Sequence, residues 1–549
     1  MSDGATAVPT PARTAERRVA ASPLLFCWLL AAAVTTLPHA LAALLPPPGR
    51  AFVGTFHWID DFHNYLSFVQ QAENGRFLFE NKLLLEDHAP ALVNLEWWAV
   101  GRLSWLLGGR PFLAYRVFAL PALAGLLWAA DRALRRLGVP ASHRLASLLL
   151  VATGGGLGGM LFVLTPATVQ QCVDLSIGLF PFLQALANPH WLFATWILLE
   201  ALLAFGETGR GALWRSVLLG NLVGLSRPYD FVLLVAVQSL AIAATAPARE
   251  WPRRALPLLG LLPVVAYDYW VFYVGTTFAT WTRTSYYMPP AREFVPALGP
   301  ALALALPGLR ASSAGGDRFL RVQLGAWILV VLSLIVVRPT SFTQQFTVGV
   351  GVPALVLAAR FLARVTRPAL MLGVVLLFTS TAVVALRIVL RSEPHWHVPR
   401  ERLAAALALR PFCRSGEVVM APADIGLYVM GRTACRAYLS HAWAPGFARR
   451  SADVAAFYSG AAPPERAAML EALGVSYVVL PGDPGPVPEA WLGSASAFRQ
   501  LARVGTPPGV ISVYGRHSRD VRAAPRPGRG LRTPAPPAGP APERVRLAP

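Results

Sequence analysis

The stretch Trp58-Ile59-Asp60-Asp61-Phe62-His63-Asn64-Tyr65-Leu66, continued to His88 as WIDDFHNYLSFVQQAENGRFLFENKLLLEDH, decides how the rest of the chain is read. It sets two adjacent carboxylates, flanked by His57 and His63 among aromatic residues, just after the first apolar run. An acid beside a membrane surface is costly unless it is solvated, paired or used. Tyr65, Phe68, Val69 and Ala72 then recur at helical spacing, which predicts an amphipathic helix lying on the interface and ending at Asn74-Gly75. A second polar cluster follows, Glu86-Asp87-His88, and Asn94, Glu96, Trp97 and Trp98 form an aromatic belt at the next interface. A surface loop whose acids are simply wet is the plainer alternative.

Working outward, the 549 residues are 55% hydrophobic and 14% charged, with mean hydropathy +0.48. A soluble globular chain carries about 25% charged residues. One large water-soluble domain and a disordered chain are both excluded, and a mainly α polytopic membrane bundle is expected. Apolar runs long enough to cross a bilayer begin near Leu24, Phe112, Arg144, Trp191, Trp214, Phe231, Ala255, Val295, Val322, Phe346 and Leu370, about 11 spans. The first has no small-residue cleavage site behind it, only Leu45-Pro46-Pro47-Pro48, and reads as an anchor.

The net charge is +20, and Lys82 is the single lysine among the 49 basic residues. Arginines cluster at 13–18, 132–144, 210–215, 249–254, 310–321 and 360–367, at every second crossing. That bias predicts a cytoplasmic N-terminus and a C-terminus outside, in a bacterial inner membrane. Arginines divided among loops, with no single basic stripe, argue against nucleic acid as a partner.

Several residues break the pattern. Arg227 in Ser226-Arg227-Pro228-Tyr229-Asp230 interrupts two apolar runs; it suits phosphate, or pairs internally with Asp230. Arg283, in an aromatic loop, and Arg338, before Pro339, are further outward cations. The segment 165–190 should be partly helical or re-entrant, with Asn188 capping the next helix and His190 near substrate. The run Gly154–Gly159 lacks the Lys-Ser/Thr end of a phosphate loop and reads as close helix packing.

After Arg391 the composition changes. EVVMA (417–421), VSYVVLP (475–481) and GVISVYGR (509–516) read as strands, with a helix near 462–473. A small α/β unit is expected, in which Cys413 and Cys435 bridge if the strands at 417 and 436 are neighbours. The domains expected are a disordered cytoplasmic N-terminus at 1–20, 21–390 transmembrane with a first outer loop 46–110, 391–520 extracytoplasmic α/β, and a disordered tail at 521–549 with eight prolines.

The first-loop segment, together with NPHWLF (188–193), SRPYDFVLL (226–234) and LGVSYVVLP (473–481), resembles the GT-C glycosyltransferases in an uncharacterised bacterial branch. The resemblance covers roughly residues 24–515 with loose motifs. It implies hexosyl or pentosyl transfer from a polyprenyl-phosphate-linked sugar to a glycan, lipid or protein acceptor at the outer membrane face. It also implies a loop carboxylate as catalytic base or metal ligand, carried here by Asp60 or Asp61; a divalent metal is left open. The substrate-binding candidates are His57, His63, Asn64, Tyr65, Glu86, Asp87, His88, His190, Arg227, Asp230, Arg283 and Arg338. The rivals are a transporter or flippase, for which no internal repeat is evident, and a non-catalytic envelope glycan-binding membrane protein.

Overall fold

The computed structural model describes residues 11–283, 286–310, 316–391, 393–459, 463–481, 491–492, 498–505 and 510–516. The expected disordered tail lies outside these. The chain runs through α1 (Pro11–Leu44), β1 (Arg50–Phe52), α2 (Ile59–Glu73), α3 (Leu95–Leu106), α4 (Pro111–Arg136), α5 (Arg144–Thr153) and α6 (Gly158–Leu164). Next come α7 (Val173–Ser176), α8 (Pro181–Ala187), α9 (Pro189–Phe205), α10 (Arg210–Ser226), α11 (Pro228–Thr245), α12 (Trp251–Leu259), α13 (Leu262–Tyr269) and α14 (Ala279–Arg283). The bundle closes with α15 (Phe294–Arg310), α16 (Arg318–Val337), α17 (Gly351–Val365), α18 (Pro368–Phe378) and α19 (Ser380–Arg391). Helix α1 starts at Pro11, inside the stretch 1–20 expected to be disordered; proline suits a first helical position.

Every apolar run of the sequence is helical. Six helices are long and apolar enough to cross a membrane, or up to eight if each of two bent pairs is one span. Helices α9, α10 and α15 have 17 residues each. At 1.5 Å per residue that is about 25 Å, short of a hydrocarbon core of about 30 Å. The chain is an integral membrane protein.

One bent pair explains the glycine run. Helices α5 and α6 meet at 57°. At the break, the Asp174 carboxylate accepts from Gly156 N (2.9 Å), Gly158 N (3.1 Å) and Thr381 Oγ1 (2.8 Å). A Cβ on Gly158 would sit 1.7 Å from Asp174 Oδ1. The loop's N–H donors are thus satisfied by the protein itself.

The arginine-rich ends are tied by acids. Arg132 binds Glu200 (2.6 Å) and Glu207 (2.9 Å), and Arg136 binds Asp317 (2.5 Å). These pairs join the C-terminal ends of α4 and α9 to the start of α16. The opposite end of the bundle carries the first loop.

There, α2 differs from the expected interfacial helix. Phe62 to Asn64 and Leu66 to Ala72 are all buried, because α2 lies between α3 and a C-terminal layer. That layer comprises α20 (Glu393–Trp396), β2 (His397–Pro399), α21 (Arg400–Ala408), β3 (Val418–Met420), α22 (Ala423–Arg432), β4 (Arg436–Ala437), α23 (Phe447–Ser459), α24 (Pro463–Ala472), β5 (Val475–Leu480), β6 (Phe498–Val504) and β7 (Ile511–Arg516). The sheet order is β4-β3-β5-β7-β6. Strands β3, β4 and β5 are parallel, and β7 is antiparallel to β5 and β6. Strand β2 leaves this layer to pair with β1. Helix α22 reaches α2 so closely that a Cβ on Gly431 would sit 2.8 Å from His63 O.

With β3 beside β4, Cys413 and Cys435 are disulfide-bonded, Cα atoms 5.2 Å apart and 22 residues apart in sequence. A loop of this length confers about 3 kcal/mol by restricting the unfolded chain. Replacing both cysteines by serine is expected to lower the resistance of residues 397–516 to pulse proteolysis in urea by about that amount. An unchanged midpoint would mean that the bond adds no stability.

Lys82 fastens the first loop to the same layer. Its ammonium donates to Gln70 Oε1 (2.9 Å), Met430 O (3.2 Å) and Thr433 O (2.5 Å), the last two at the end of α22. Burial pulls its pKa from 10.5 down to about 7; Glu80 opposes this, and Arg76 and Arg436 add to it. The unfolded chain therefore holds the proton to higher pH than the folded one. The lysine's contribution is least favourable below pH 7 and improves as pH climbs from 7 toward 10.5. The thermal midpoint of the wild type relative to Lys82→Met should accordingly rise between pH 6 and pH 9. Parallel curves would refute it.

Candidate active site

Helix α2 brings the two acids to the face where bundle and C-terminal layer meet. Its N-cap, Trp58, sits in the left-handed region (φ 44°, ψ 63°). A non-glycine residue there costs about 1–2 kcal/mol, and such strain gathers at functional sites. The turn puts Asp60 and Asp61 in the first helical turn, where the helix dipole favours negative charge.

The two acids then part company. Asp61 Oδ1 lies 3.2 Å from His441 Nε2, a residue 380 positions away. The Trp443 backbone N–H donates to His441 Nδ1 at 3.0 Å. A backbone amide only donates, so Nδ1 is the acceptor and the ring's hydrogen is on Nε2, pointing at Asp61. Tyr286 packs on Trp443, ring centroids 4.5 Å apart. Asp60 is the more exposed acid. Crowding by the surrounding protein pushes its carboxyl up, the nearby His441 pulls it down, and Asp61 pushes it up further.

One turn along α2 from the two acids, which do not themselves line it, Tyr65 forms part of the wall of an apolar cavity of about 440 Å³. Its walls come from α2 (Tyr65, Phe68), α3 (Trp97), the Arg227-Pro228-Tyr229 break and a π-turn at Trp270–Val274 that carries Phe272 and Tyr273. The Asp61 charge acts on wall residues Tyr65 and Tyr229. Tyr65 stacks on Trp97 at 4.7 Å, and Trp97 lies 4.8 Å from His190. His190 Nδ1 meets Glu96 Oε2 at 2.7 Å. Burial pushes the Glu96 carboxyl well up, with Arg227 opposing. The cavity opens outward past Tyr269 and Tyr273, which are exposed.

The structure gathers some of the expected residues and scatters others. Asp60, Asp61, Tyr65, His190 and Arg227 come together here. Arg227 is buried, paired with Asp230, and donates to Gln345 O (2.6 Å) and Gln345 Oε1 (2.8 Å); the internal pair is formed, and the guanidinium also lines the cavity. His57 donates to Ser176 O (2.7 Å) on the far side of Trp58. His63 donates to Ile59 O (2.9 Å) and packs on Tyr428 of α22, and Asn64 is buried beside it. Glu86, Asp87 and His88 are at the edge of the C-terminal layer, where Asp87 meets Arg436 at 3.3 Å and His88 accepts from Asn81 N at 3.1 Å. None of the three lines this cavity. Arg338 donates to Pro289 O (2.7 Å) and does not line it either. Arg283 is on α14, but its side chain lies outside the described residues. Asn188 is the N-cap residue of α9, as expected, but its side chain makes no capping bond and accepts from Tyr115 Oη at 2.7 Å.

Sequence reasoning placed neither partner. Glu96 sat inside what read as an aromatic belt; a carboxylate among tryptophans was the available signal. His441, with Trp443 and Tyr438, reads from the sequence as an acceptor contact or as plain packing, and nothing local pairs it with Asp61.

No family model matches the chain, and no curated protein does. Solved structures do match. Arabinofuranosyltransferase AftD from Mycobacteria aligns with 90% of the chain at TM-score 0.53 and 16% identity; the chain spans 40% of that protein. The oligosaccharyltransferase of Archaeoglobus fulgidus aligns with 84% of the chain at TM-score 0.51 and 11% identity, covering 69% of its own length. ArnT from Cupriavidus metallidurans, bound to undecaprenyl phosphate, aligns with 91% at TM-score 0.50 and 13% identity, covering 98% of itself. The fold is that of the GT-C glycosyltransferases. Within this GT-C fold the first loop, α2 and the C-terminal layer meet at one end of the bundle, and the two acids lie in that junction. Among the described residues no group of three or more His, Cys, Asp or Glu side chains converges as a metal site.

Proposed function

We propose that this chain is an integral membrane glycosyltransferase that takes a sugar from a polyprenyl-phosphate carrier and passes it to an envelope acceptor. The observation that carries the reading is Asp61, in contact with His441 and close enough for its charge to act on Tyr65 and Tyr229 in the wall of an aromatic apolar cavity. The Cupriavidus protein of the same fold binds undecaprenyl phosphate, which supports a polyprenyl carrier here. The sugar is a hexose or pentose. The reaction takes place at the outer face of a bacterial inner membrane, and the arginine bias supports the orientation with the N-terminus inside.

The cavity takes the isoprenoid chain, and its aromatic walls take the first units of the carrier and the sugar. Asp61 is the general base. As the acceptor hydroxyl oxygen bonds to the sugar's anomeric carbon, its proton passes to Asp61. The bond from that carbon to the phosphate oxygen breaks, and polyprenyl phosphate leaves with the electron pair. The Nε2–H of His441 fixes the carboxylate so that the second oxygen faces the acceptor. Arg227 lines the cavity; its ion pair with Asp230 keeps it rigid, and its guanidinium supplies donors where the phosphate charge grows. A divalent ion would be held by Asp60 or Asp61 together with phosphate oxygens, and would neutralise the leaving group.

The test is donor consumption by the purified full chain in lipid nanodiscs, across polyprenyl-phosphate hexoses and pentoses. Turnover of at least one donor is expected. If none is consumed in the presence of envelope extracts as acceptor, the enzyme reading fails.

A further inference from the structure

The apolar cavity holds a carboxylate to which the reaction above gives no role. Asp268, on α13, is half-buried in its wall. Among the described residues it makes no hydrogen bond and no ion pair. Helices α12 and α13 form a bent pair, turned by 54° and apolar enough to count together as one candidate span. An ionisable side chain within such a span is costly unless it is paired or serves a ligand. Tyr267, next in the chain, fixes the setting of α13: its hydroxyl accepts from Val93 N (2.5 Å) and donates to Ala91 O (3.0 Å). Asp268 then faces α10, where a Cβ on Gly224 would sit 3.5 Å from Asp268 Oδ2. Gly224 precedes Arg227 by three residues, about one helical turn. The unpaired acid therefore lies close to the cation that the reading above gives to the donor's phosphate.

The charges around this point do not balance. Among the described lining residues Arg227 is the one permanent cation, and Asp230 already neutralises it. The other titratable groups that face the cavity are His190 from α9, held through Nδ1 by Glu96, and the phenols of Tyr65 from α2, Tyr229 from α11, and Tyr269 and Tyr273 beside Asp268. Phenols stay neutral below about pH 9. With Asp268 ionised, the cavity and its Arg227–Asp230 pair thus carry one excess negative charge. A phosphate brings another, and like charges in an apolar space repel far more than in water.

We propose that Asp268 is protonated when the donor is bound, so that binding of the lipid phosphate takes up one proton from solvent. The proton bonds to one carboxylate oxygen, and the resulting O–H donates to a phosphate oxygen that Arg227 leaves free. A neutral acid at this position turns a repelling group into a hydrogen-bond donor. Donor affinity is then highest at low pH and falls as pH rises, because each ionised Asp268 must regain its proton before the phosphate can enter. This rests on the glycosyltransferase reading for the identity of the anion, and adds to it a residue that positions the phosphate and couples its binding to pH.

The experiment uses the full chain in nanodiscs of zwitterionic lipid and a tritiated undecaprenyl methyl phosphate. This diester keeps a single charge over the whole range, so any pH dependence belongs to the protein. Its Kd should rise between about pH 6 and about pH 9, by up to about 10-fold per pH unit where one proton is bound with the ligand. Asp268→Asn, neutral and still an N–H donor, should bind the probe with a Kd that does not vary with pH. Asp268→Leu, neutral without a donor, should bind about 10-fold more weakly than Asp268→Asn at every pH. Asp268→Asn should also raise the thermal midpoint of the empty protein at about pH 8, since it removes an unpaired charge. A flat Kd in the wild type, a pH slope that persists in Asp268→Asn, or a lowered midpoint in that variant would each overturn the proposal. The second of these would put the proton on His190 or on the first-loop acids. Failure to bind the probe at any pH would overturn the carrier reading of the cavity as well. Absence of donor turnover alongside pH-dependent binding would count against the enzyme reading alone, because binding needs no chemistry.

Discussion

Asp61→Asn lowers kcat for sugar transfer about 10³-fold, within the span of a lost general base, whereas Asp60→Asn lowers it about 10-fold or less. Sequence treats the pair as equivalent, and the fold does not. Asp61 is held at 3.2 Å by an imidazole whose tautomer is set by the Trp443 amide. Asp60 is exposed and its carboxylate has no hydrogen-bond partner among the described residues. Asparagine at 61 keeps the shape and the contact with Nε2–H but cannot take a proton. His441→Ala should fall between the two acid variants, with kcat reduced about 10-fold to 100-fold and KM for the donor little changed. His441→Gln, which restores an N–H donor to the carboxylate, should recover part of that loss, an outcome a purely structural histidine would not give. Steady-state kinetics on one accepted donor reads all four variants. If Asp60→Asn proves the more damaging, the assignment of the base is reversed.

Arg227→Ala destabilises the protein by about 3–5 kcal/mol, because it leaves the Asp230 carboxylate buried without its cation. The same change frees the Gln345 side chain and carbonyl that the guanidinium holds. Pairing it with Asp230→Ala should recover most of the cost, since removing both charges removes the desolvation penalty with the attraction. A double-mutant cycle on the unfolding midpoint in detergent measures the coupling. Arg227→Lys should not substitute, as a point charge cannot span Asp230 and Gln345 as the planar fork does. A single-variant cost below about 1 kcal/mol would place the pair among weak surface bridges and remove the rigid cation from the mechanism.

Much of this was legible along the chain. The helix of the first loop stops at Asn74-Gly75, as spacing and turn residues predict, with Gly75 at φ 88°. The strands at 418, 475 and 511 are where β-branched runs lie between turn signals. β6 at Phe498–Val504 was missed, because FRQLARV carries exposed charges on an edge strand and lacks the alternation of a half-buried one. The span count blurred at α5–α6 and α12–α13, since hydropathy registers apolar length and is blind to a bend.

The sequence alone determined the membrane bundle, its inside–outside arginine bias and the two acids after the first span, because hydropathy, charge and adjacency are local properties that survive without a fold. Only the tertiary structure distinguished Asp61 from Asp60. The distinction depends on a histidine 380 residues away, and nothing in the local pattern of either residue records which distant side chain will meet it. For the same reason Glu86, Asp87 and His88 read as part of the site and lie apart from it, while Glu96 read as interface and sits behind the cavity wall.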